Sequence, residues 1–314
     1  MNIGLIVHDL HEFGGHSLYT RKLADGLAER HDVTVYANRC ERPPTAKWGV
    51  RQIRAWRQTA LGTVKTFPFG LMPFAKELSG CDIVHAQGYC GGKPNVVTAH
   101  ICMASYVASL RDISRMQAAS LRAMLRAERK FYRQFDGRII AISELVADGL
   151  RAEYGAQNRI DVIPHGVDSA RFKPKNKATI GRAVRDELSL AEQQKVALYV
   201  GDLTKAHSFL KEFARRAPHV ILLIVSRSQR YHWSAENVIF VPPANDIEKY
   251  YAAADMFLFP STYDAFGMVA LEAMAAGLPV FCSDRAGAAE LITHGADGFV
   301  FPLDSWVGQT CAVI

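Results

Sequence analysis

Asp264, Gly267 and Glu272 lie at the predicted start of one helix in the second half of the chain. A buried strand is predicted over residues 255–259, and a short polar loop follows it. An amphipathic helix then starts near Gly267 and stops at a Gly-Leu-Pro sequence. The first N–H groups of a helix have no partner within the helix, and the helix dipole adds about half a positive charge there. This helix start is therefore a predicted anion site, suited to a phosphate.

The expected donors at this site are the backbone N–H groups of four consecutive residues: Phe266, Gly267, Met268 and Val269. Gly267 has no side chain that would keep an anion away, and Asp264 and Glu272 place one carboxylate on each side. Because a carboxylate accepts hydrogen bonds from pairs of sugar hydroxyls, we interpret the segment as a holder for a phosphate flanked by polyols. The alternative is purely structural: the helix packs on a sheet, and Asp264 is its capping acid.

Strands alternate with helices along both halves of the chain, which predicts an α/β fold with parallel sheets. In the first half, strands are predicted in NIGLIVH, DVTVYA, CDIVHAQG and NVVTAHI. In the second half, strands are predicted at residues 196–200, 220–225 and 238–241, and helices at 208–217 and 246–254. A chain of 314 residues that is 49% hydrophobic is long enough for two domains of about 150 residues each. No GxGxxG sequence follows the first strand of either domain, which argues against a nicotinamide dehydrogenase.

A glycine pair follows the first strand. Gly14 and Gly15 stand between NIGLIVH and a helix, an arrangement that also accepts anions, although a simple tight turn would need the same residues. His85 and His100 lie at or near the carboxyl ends of predicted strands, where open α/β sheets bind ligands. For His85 the favoured interpretation is a partly buried histidine bonded to the backbone.

A basic helical stretch is predicted over residues 105–135. Its apolar residues recur at helical spacing, and seven basic residues stand between them: Arg111, Arg115, Arg122, Arg126, Arg129, Lys130 and Arg133. Such a helix can lie on anionic lipid headgroups, but the pattern is more typical of the solvated face of a packing helix. The next segment, GRIIAISELVADGLRAEYG, predicts a strand, a helix cap at Ser143 and a helix.

The net charge of +6 and the pI near 9.0 suit an anionic ligand, an anionic membrane surface or nucleic acid. The sequence has no aromatic RNA-binding signature and no compact lysine tract, so nucleic acid is not expected as a partner. The six cysteines form no C-x-x-C pair, which predicts reduced thiols of a cytosolic protein. The N-terminal NIGLIVH is interpreted as a strand and not a signal peptide, and no apolar run approaches the ~18 residues of a membrane span.

The segment DAFGMVALEAMAAGLPV resembles the E-x7-E signature of glycosyltransferase family 4, with Asp264 in place of the first glutamate. AGAAELITHGADGFVF and RIDVIPHGVD are similar to further family segments, the latter with His165 in place of an asparagine. The family consists of retaining enzymes of the GT-B fold that use nucleotide sugars. The resemblance therefore implies two Rossmann-like parallel-sheet domains facing across a cleft. Residues 1–166 would form the acceptor-side domain and residues 167–314 the nucleotide-sugar-binding domain, with the polar SARFKPKNKATI as linker.

In the first domain, the resemblance places Gly14 and Gly15 near the donor diphosphate and the acceptor. The resemblance implies the same role for His16, which follows the glycine pair. His100 stands where the family carries a histidine that faces the transferred sugar, so it would lie near the reacting centre.

In the second domain, the resemblance assigns the ribose hydroxyls to Glu272 and the hydroxyls of the donor sugar to Asp264. Asp264 and His100 are therefore the predicted catalytic residues. The leaving diphosphate needs stabilisation as its charge develops, which fixed N–H donors and cations provide. The amides of residues 266–269, the Gly-Gly turn and Lys205 are expected to provide it.

Two segments depart from the family. Where members carry an arginine and then a lysine after the first strand of the second domain, GDLTKAHSF places Asp202 and, most nearly, His207. An aspartate repels a diphosphate, so either Lys205 and another cation such as Arg227 supply the positive charge, or donor binding is weak. The final SWVGQTCAVI shows neither helical periodicity nor capping signals, and it stands where the family continues with further helices, so a truncated second domain is predicted.

The predicted function is transfer of a glycosyl group, with retention, from a nucleotide diphosphate sugar to a carbohydrate or lipid-linked acceptor, as in polysaccharide or lipopolysaccharide synthesis. The sequence contains no D-x-D pair, so neither a metal nor another cofactor is expected. The enzyme would act in the cytoplasm, alone or with peripheral contact at the inner face of the membrane. The alternatives are a binding-only remnant, which Asp202 and the short C-terminus favour, a membrane-surface adaptor that uses the basic helix, and a nucleotide sugar epimerase of the same fold. The sequence assigns neither the donor sugar and base nor the acceptor.

Overall fold

The computed structural model describes residues 1–11, 15–53, 78–90, 93–110, 114–156, 159–174, 178–228, 231–242 and 245–314. The chain divides into two compact units, Met1–Pro164 (unit 1) and His165–Ile314 (unit 2). Each unit contains its own parallel sheet and its own buried core. The predicted α/β architecture with two parallel sheets is confirmed.

The described part of unit 1 contains a seven-stranded parallel sheet. Its strands are β1 (Asn2–Leu10), β2 (Asp32–Cys40), β3 (Gly49–Gln52), β4 (Ile83–Gln87), β5 (Val96–Ala99), β6 (Arg138–Ala141) and β7 (Ile160–Val162). Their order is β3-β2-β1-β4-β5-β6-β7. The direction in which strands are added therefore reverses between β1 and β4, and open α/β sheets bind ligands outside the carboxyl ends of the strands at such a point.

Four α-helices in the described part of unit 1 accompany this sheet. They are α1 (Gly15–Ala28), α2 (Met103–Ser109), α3 (Arg115–Gln134) and α4 (Glu144–Tyr154). The predicted cap of α4 is confirmed, because the Val146 N–H donates to the Ser143 hydroxyl oxygen at 3.2 Å.

The prediction of one continuous helix over residues 105–135 was wrong, because α2 and α3 are separate helices. Leu110 has extended backbone angles and ends α2. Ser114 begins α3 with a capping box: the Gln117 N–H donates to the Ser114 hydroxyl, and the Ser114 N–H donates to the Gln117 side chain. Arg111 lies outside the described residues. Five basic side chains of α3 are exposed, as expected for the solvated face of a packing helix: Arg122, Arg126, Arg129, Lys130 and Arg133.

The opposite side of α3 buries a carboxyl group. Glu128 is only 3% exposed, and its Oε2 accepts a hydrogen bond from the Tyr154 hydroxyl at 2.5 Å. The Ala104 N–H donates to the same hydroxyl oxygen at 3.0 Å. Burial raises the pKa of Glu128 to about 7, although hydrogen bonds from Tyr154 and from the Met103 N–H act in the opposite direction. A buried polar network therefore joins α2, α3 and α4.

The described part of unit 2 contains a six-stranded parallel sheet in the order β10-β9-β8-β11-β12-β13. Its strands are β8 (Lys195–Val200), β9 (Val220–Val225), β10 (Val238–Val241), β11 (Met256–Phe259), β12 (Val280–Ser283) and β13 (Gly298–Phe301). Its α-helices are α5 (Ile180–Glu187), α6 (His207–Arg216), α7 (Glu248–Ala253), α8 (Met268–Ala275) and α9 (Trp306–Val313). All six residues of β9 are buried, as expected for a central strand covered on both faces. The reversal of strand order lies between β8 and β11.

Helix α9 corrects the expectation that SWVGQTCAVI is not helical. Trp306 and Thr310, one turn apart, are both completely buried. The Trp306 ring packs against Phe213 of α6 with 6.4 Å between ring centroids. Packing of one short face against unit 2 therefore stabilises this helix, whereas capping and periodicity do not indicate it.

The first part of the predicted linker SARFKPKNKATI packs into unit 2. Phe172 is 4% exposed and packs edge-on against the Tyr251 ring at 5.4 Å between centroids. The Arg171 Nε donates to Glu248 Oε2 at 2.7 Å. Polar and proline-containing composition indicated a linker, but this pair and the buried phenylalanine fix the segment to α7.

Each of the six cysteines is a free thiol. Within the described ranges, none of the helices has both the length and the apolar character that a membrane crossing requires. The same residues contain no group of three or more His, Cys, Asp or Glu side chains placed to hold a metal ion.

Candidate functional site

The loops after β8 and β11 bring two predicted site residues together at the strand-order reversal of unit 2. Lys205 follows β8 and Asp264 follows β11, 59 positions later in the chain. Lys205 Nζ lies 3.1 Å from Asp264 Oδ2, and the two side chains are 34% and 29% exposed. The predicted diphosphate cation and the predicted sugar ligand therefore form a partly exposed ion pair.

The loop that carries Asp264 is fixed by backbone hydrogen bonds. The Asp264 N–H donates to the carbonyl oxygen of Arg285, and the Asp264 carbonyl oxygen accepts from the Gly287 N–H, both at 3.0 Å. The Asp264 Oδ1 accepts from the Phe266 N–H at 3.3 Å. The expectation that Phe266 donates to an anion is therefore corrected, because its N–H already has the capping carboxylate as partner.

The remaining three amides of the predicted anion site belong to Gly267, Met268 and Val269. Gly267 is the N-cap of α8, and the helix begins at Met268. In the part of the chain that the structure describes, no residue accepts a hydrogen bond from these three N–H groups. The amide set is therefore smaller than predicted by one member, and it keeps the helix-dipole polarity that suits an anion.

Gly267 has a structural reason to be glycine besides access for an anion. Its φ is +94°, in the left-handed region that side chains rarely adopt. A Cβ atom on Gly267 would lie 2.7 Å from the Phe259 ring, closer than real Cβ contacts. The backbone angle and the contact with β11 therefore both require glycine.

We expect Gly267→Ala to lower the free energy of unfolding of unit 2 by roughly 1–3 kcal/mol, because it adds a strained backbone angle and a clash. Gly295→Ala is the matched control, since Gly295 has a φ of +82° but open space around its Cβ position. Urea unfolding of both variants measures the difference. Equal losses would show that contact with Phe259 contributes nothing.

Glu272 is held by a residue that the sequence did not indicate. The Tyr251 hydroxyl of α7 donates to Glu272 Oε2 at 2.8 Å and lies 3.2 Å from the Val269 carbonyl oxygen. Burial raises the pKa of Glu272, while the Tyr251 hydrogen bond and the charge of Arg171 lower it. Glu272 is therefore a partly buried, oriented acceptor beside the amides of α8. In the sequence, Tyr251 is one aromatic residue of a predicted helix, and nothing there indicates its contact with Glu272.

Asp202, the main departure from the family pattern, has a local role. Its Oδ1 accepts from the Thr204 N–H at 3.0 Å, and its carbonyl oxygen accepts from the Tyr199 hydroxyl at 2.8 Å. These bonds stabilise the short 3-10 turn Leu203–Lys205. Asp202 therefore caps the turn that presents Lys205, and its carboxylate adds negative charge near the proposed anion site.

His207 and Arg227 are the other two residues that the sequence suggested as sources of positive charge at the anion site, and their surroundings differ from those of Lys205. The His207 ring packs against Tyr231 and Trp233, with centroids 5.4 and 5.3 Å away. Burial and the charge of Lys211 lower the pKa of His207, which disfavours the charged form of the ring. Arg227 is exposed and follows the end of β9.

In unit 1, the structure brings His16 and His100 together. His100 directly follows β5, and its Nε2 lies 2.8 Å from Gln87 Oε1 at the end of β4. The rings of His16 and Tyr19 contact the His100 ring edge-on, with centroids 4.4 and 4.9 Å away. Gly15 begins α1, and Gly14 lies outside the described residues.

His85 is buried, as the favoured interpretation held, but its partner is a side chain and not the backbone. Its Nε2 lies 2.8 Å from the Thr98 hydroxyl oxygen. Burial lowers the pKa of His85 to about 4, so the ring is neutral at physiological pH. His85 is thus part of the packed sheet face.

His165, which replaces an asparagine of the family pattern, contacts the start of the anion site. Its ring packs edge-on against Phe266 with 4.9 Å between centroids. Burial lowers the pKa of His165 to about 4, so this ring is also neutral at physiological pH. The His165 ring therefore packs on Phe266, a contact that the sequence did not indicate.

Known solved structures share this fold. The chain superimposes on WaaG, a glycosyltransferase involved in lipopolysaccharide biosynthesis, with a TM-score of 0.77 and 22% identity, covering 99% of this chain and 90% of that one. It superimposes on Anabaena HepE in complex with UDP-glucose with a TM-score of 0.67 and 19% identity, covering 99% and 90%. These likenesses identify the fold as GT-B, with two Rossmann-like parallel-sheet domains.

Sequence comparison also finds glycosyltransferases, and its matches cover both units. A D-inositol 3-phosphate glycosyltransferase of Nocardia farcinica is 29% identical over 339 residues, which cover 91% of this chain and 73% of that protein. Residues 194–313 match the family model "Glycosyl transferases group 1", and residues 13–171 match "Glycosyltransferase Family 4". The matched regions contain the E-x7-E-like segment and the glycine-led helix α1, and the chain is a glycosyltransferase that belongs to glycosyltransferase family 4.

Proposed function

We propose that this enzyme transfers a glycosyl group, with retention of anomeric configuration, from a nucleotide diphosphate sugar to a carbohydrate or lipid-linked acceptor. The observation that carries the proposal is the start of α8, where three amides without acceptors among the described residues lie between the carboxylates of Asp264 and Glu272. The fold shared with HepE in its UDP-glucose complex supports the donor class. The similarity to D-inositol 3-phosphate glycosyltransferases supports an acceptor rich in hydroxyls.

The proposed mechanism stabilises the leaving diphosphate. As the bond from the anomeric carbon to the diphosphate breaks, negative charge grows on the phosphate oxygens. The amides of residues 267–269 are fixed by the N-cap geometry of Gly267, so they meet this charge without reorganising. A front-face displacement, helped by the leaving phosphate, then needs no enzymic nucleophile.

In the proposed complex, Lys205 would contact the diphosphate and Asp264 would contact the donor sugar. Lys205 Nζ can donate to a phosphate while it keeps its bond to Asp264, because an ammonium group has three donors. Asp264 Oδ2 is the oxygen near Lys205, and the carboxylate has further acceptor positions for hydroxyls of the donor sugar. The ion pair would therefore hold the phosphate and the sugar in a fixed relation.

We expect Glu272→Ala to weaken donor binding by roughly 1–3 kcal/mol, the range for losing a hydrogen bond to a charged group. The reason is that Glu272 would accept from the ribose hydroxyls while Tyr251 orients it. Titration calorimetry with the donor that the wild type accepts measures the change.

The matched control is Tyr251→Phe, which removes only the hydroxyl that orients Glu272. We expect it to weaken binding less than Glu272→Ala, since the carboxylate remains. An unaltered dissociation constant in Glu272→Ala would contradict the assigned role.

We propose that transfer requires no metal and no other cofactor. The amides of α8 and the Lys205 ammonium would provide the stabilisation that a divalent cation provides elsewhere. Turnover is therefore expected to survive an excess of EDTA. Loss of turnover that magnesium restores, measured on metal-free enzyme, would contradict this proposal.

The exposed basic face of α3 supports peripheral contact with an anionic surface, which a lipid-linked acceptor would require. Five of its basic side chains, from Arg122 to Arg133, are exposed, and the acid on this helix, Glu128, is buried on the opposite side. The electrostatic attraction of such a face to acidic headgroups grows with the number of basic residues.

A second candidate function is donor binding without turnover. Asp202 favours it, because this carboxylate lies in the capped turn of Lys205, and Lys205 is already paired with Asp264. Calorimetry with a panel of nucleotide sugars, run beside a product assay, separates the two candidates. Mass spectrometry of acceptor extracts incubated with each donor identifies a product, and the anomeric coupling constant of that product tests retention.

A further inference from the structure

Two polar pairs lie on one face of the sheet in unit 1. His85 and Gln87 are two positions apart on β4, and Thr98 and His100 have the same spacing on and just after β5. Residues with this spacing point to the same side of a sheet. His85 Nε2 lies 2.8 Å from Thr98 Oγ1, and Gln87 Oε1 lies 2.8 Å from His100 Nε2. Both pairs span 13 positions, so they are successive steps of one diagonal ladder.

The second step of this ladder determines where the His100 proton is. The Gln87 Oε1 is a carbonyl oxygen and can only accept a hydrogen bond. With Gln87 Oε1 facing the ring, the Nε2 of His100 is the donor and carries the proton. A neutral imidazole has one N–H, so the lone pair of the ring is on Nδ1.

The His100 ring is also held in place from α1. His16 and Tyr19 contact it edge-on with ring centroids 4.4 and 4.9 Å away. Rotation of the ring would have to displace these two residues. Gln87 and the aromatic edges of α1 therefore fix both the tautomer and the orientation.

Gln87 itself makes an incomplete set of hydrogen bonds. It is 8% exposed, and its side-chain nitrogen is buried with no acceptor among the described residues. An unsatisfied buried donor destabilises a folded protein, and an apolar side chain of the same shape would avoid this loss. The benefit of a glutamine here must therefore come from its oxygen, which faces His100.

We propose that Gln87 is a positioning residue that holds His100 as the Nε2–H tautomer, with Nδ1 as the acceptor for a hydroxyl of the transferred sugar. The contact with the sugar rests on the proposed function. The tautomer does not, because Gln87 fixes it in the free protein.

The full-length protein labelled with ¹⁵N-histidine tests the tautomer at pH 8 without any substrate. Long-range ¹H–¹⁵N correlation spectra distinguish Nε2–H from Nδ1–H, and comparison with His100→Gln assigns the signal. We expect Nε2–H in the wild type and in Gln87→Glu, which keeps an accepting oxygen, and a mixture in Gln87→Met. Thr98→Val is the control: it breaks the other step of the ladder and the 3.5 Å contact of the Thr98 hydroxyl with the Tyr19 hydroxyl, keeps Gln87 in place, and is expected to leave the tautomer of His100 unchanged. An Nδ1–H signal in the wild type, or identical signals in wild type and Gln87→Met, would overturn the proposal.

Stability and turnover complete the test. Gln87→Met is expected to have an unchanged or higher melting temperature, because it removes the unsatisfied donor, while its kcat falls roughly tenfold to a hundredfold through misplacement of His100. Gln87→Glu is expected to recover part of the lost kcat. A melting temperature that falls together with kcat in Gln87→Met, with no recovery in Gln87→Glu, would show a structural role only. If the wild type transfers no sugar, the proposed function fails, and the NMR result still decides the role of Gln87.

Discussion

Replacement of Trp306 by alanine is expected to lower the free energy of unfolding of unit 2 by about 3–5 kcal/mol, the usual loss for a fully buried aromatic side chain. Trp306 is 0% exposed and packs against Phe213 of α6. Besides Thr310, no other residue of α9 is fully covered, so the tryptophan is the main contact that holds the helix. Urea unfolding gives the total change. Hydrogen exchange of the α6 and α9 amides shows whether the loss is local.

Trp306→Phe is the matched control, because it removes the indole but keeps an aromatic ring at this position. The indole nitrogen of Trp306 is buried without a hydrogen-bond partner in the described part of the chain. Phenylalanine removes that unsatisfied group and keeps a ring, so it is expected to cost less than about 1.5 kcal/mol. A loss as large as that of Trp306→Ala would mean that the indole itself, and not burial, fixes the helix.

Helix α9 shows why part of this fold could not be predicted from the sequence. SWVGQTCAVI contains Gly308, and the side chain of its N-cap residue Ser305 makes no capping hydrogen bond, so local preference gives little helix signal. The helix forms because Trp306 fits a site built by distant residues. In contrast, strands such as β9 are uninterrupted apolar runs, and burial on both faces of a parallel sheet leaves few other choices for them.

The candidate site likewise has features that could be predicted from the sequence and features that could not. The spacing of Asp264 and Glu272 and the glycine before the helix could be predicted, because they are local to one strand–loop–helix segment. The ion pair between Lys205 and Asp264 joins positions 59 apart and depends on the order of β8 and β11 in the sheet. The bond from Phe266 N–H to Asp264 depends on a side-chain rotamer, which a motif does not specify. Sequence patterns thus indicated the residues of the candidate site but not how these residues pair with one another.

The contacts of Asp202, which departs from the family pattern, show that it has a structural role. As a charge beside a diphosphate it is unfavourable, yet it caps the turn that presents Lys205. An arginine at this position could not accept the Thr204 N–H. The loop therefore combines a capped turn with Lys205, and under the proposed function the contact with the diphosphate from this loop would depend on Lys205 alone.

Glu128 is expected to make unit 1 less stable as pH rises from about 5 to 8. Burial raises the pKa of its carboxyl to about 7 in the folded protein, against an ordinary value of 4.5 in the unfolded chain. Between these values the folded state keeps a proton that the unfolded state has released, so stability is fully present below 4.5 and decreases as pH rises through about 7. At 1.36 kcal/mol for each pH unit, the decrease amounts to about 3 kcal/mol.

Glu128→Gln removes the ionisation and keeps an oxygen that can accept from the Tyr154 hydroxyl. The variant is therefore expected to unfold at a similar urea concentration at pH 5 and 8, and to be more stable than the wild type at pH 8. Glu29→Gln, on the exposed C-terminal side of α1, is the control and should follow the wild-type pH dependence. Because other groups titrate over the same range, the informative quantity is the difference between Glu128→Gln and wild type. If that difference were the same at pH 5 and pH 8, Glu128 would have to be ionised in the core at both, with Tyr154 and the Met103 N–H compensating for its burial.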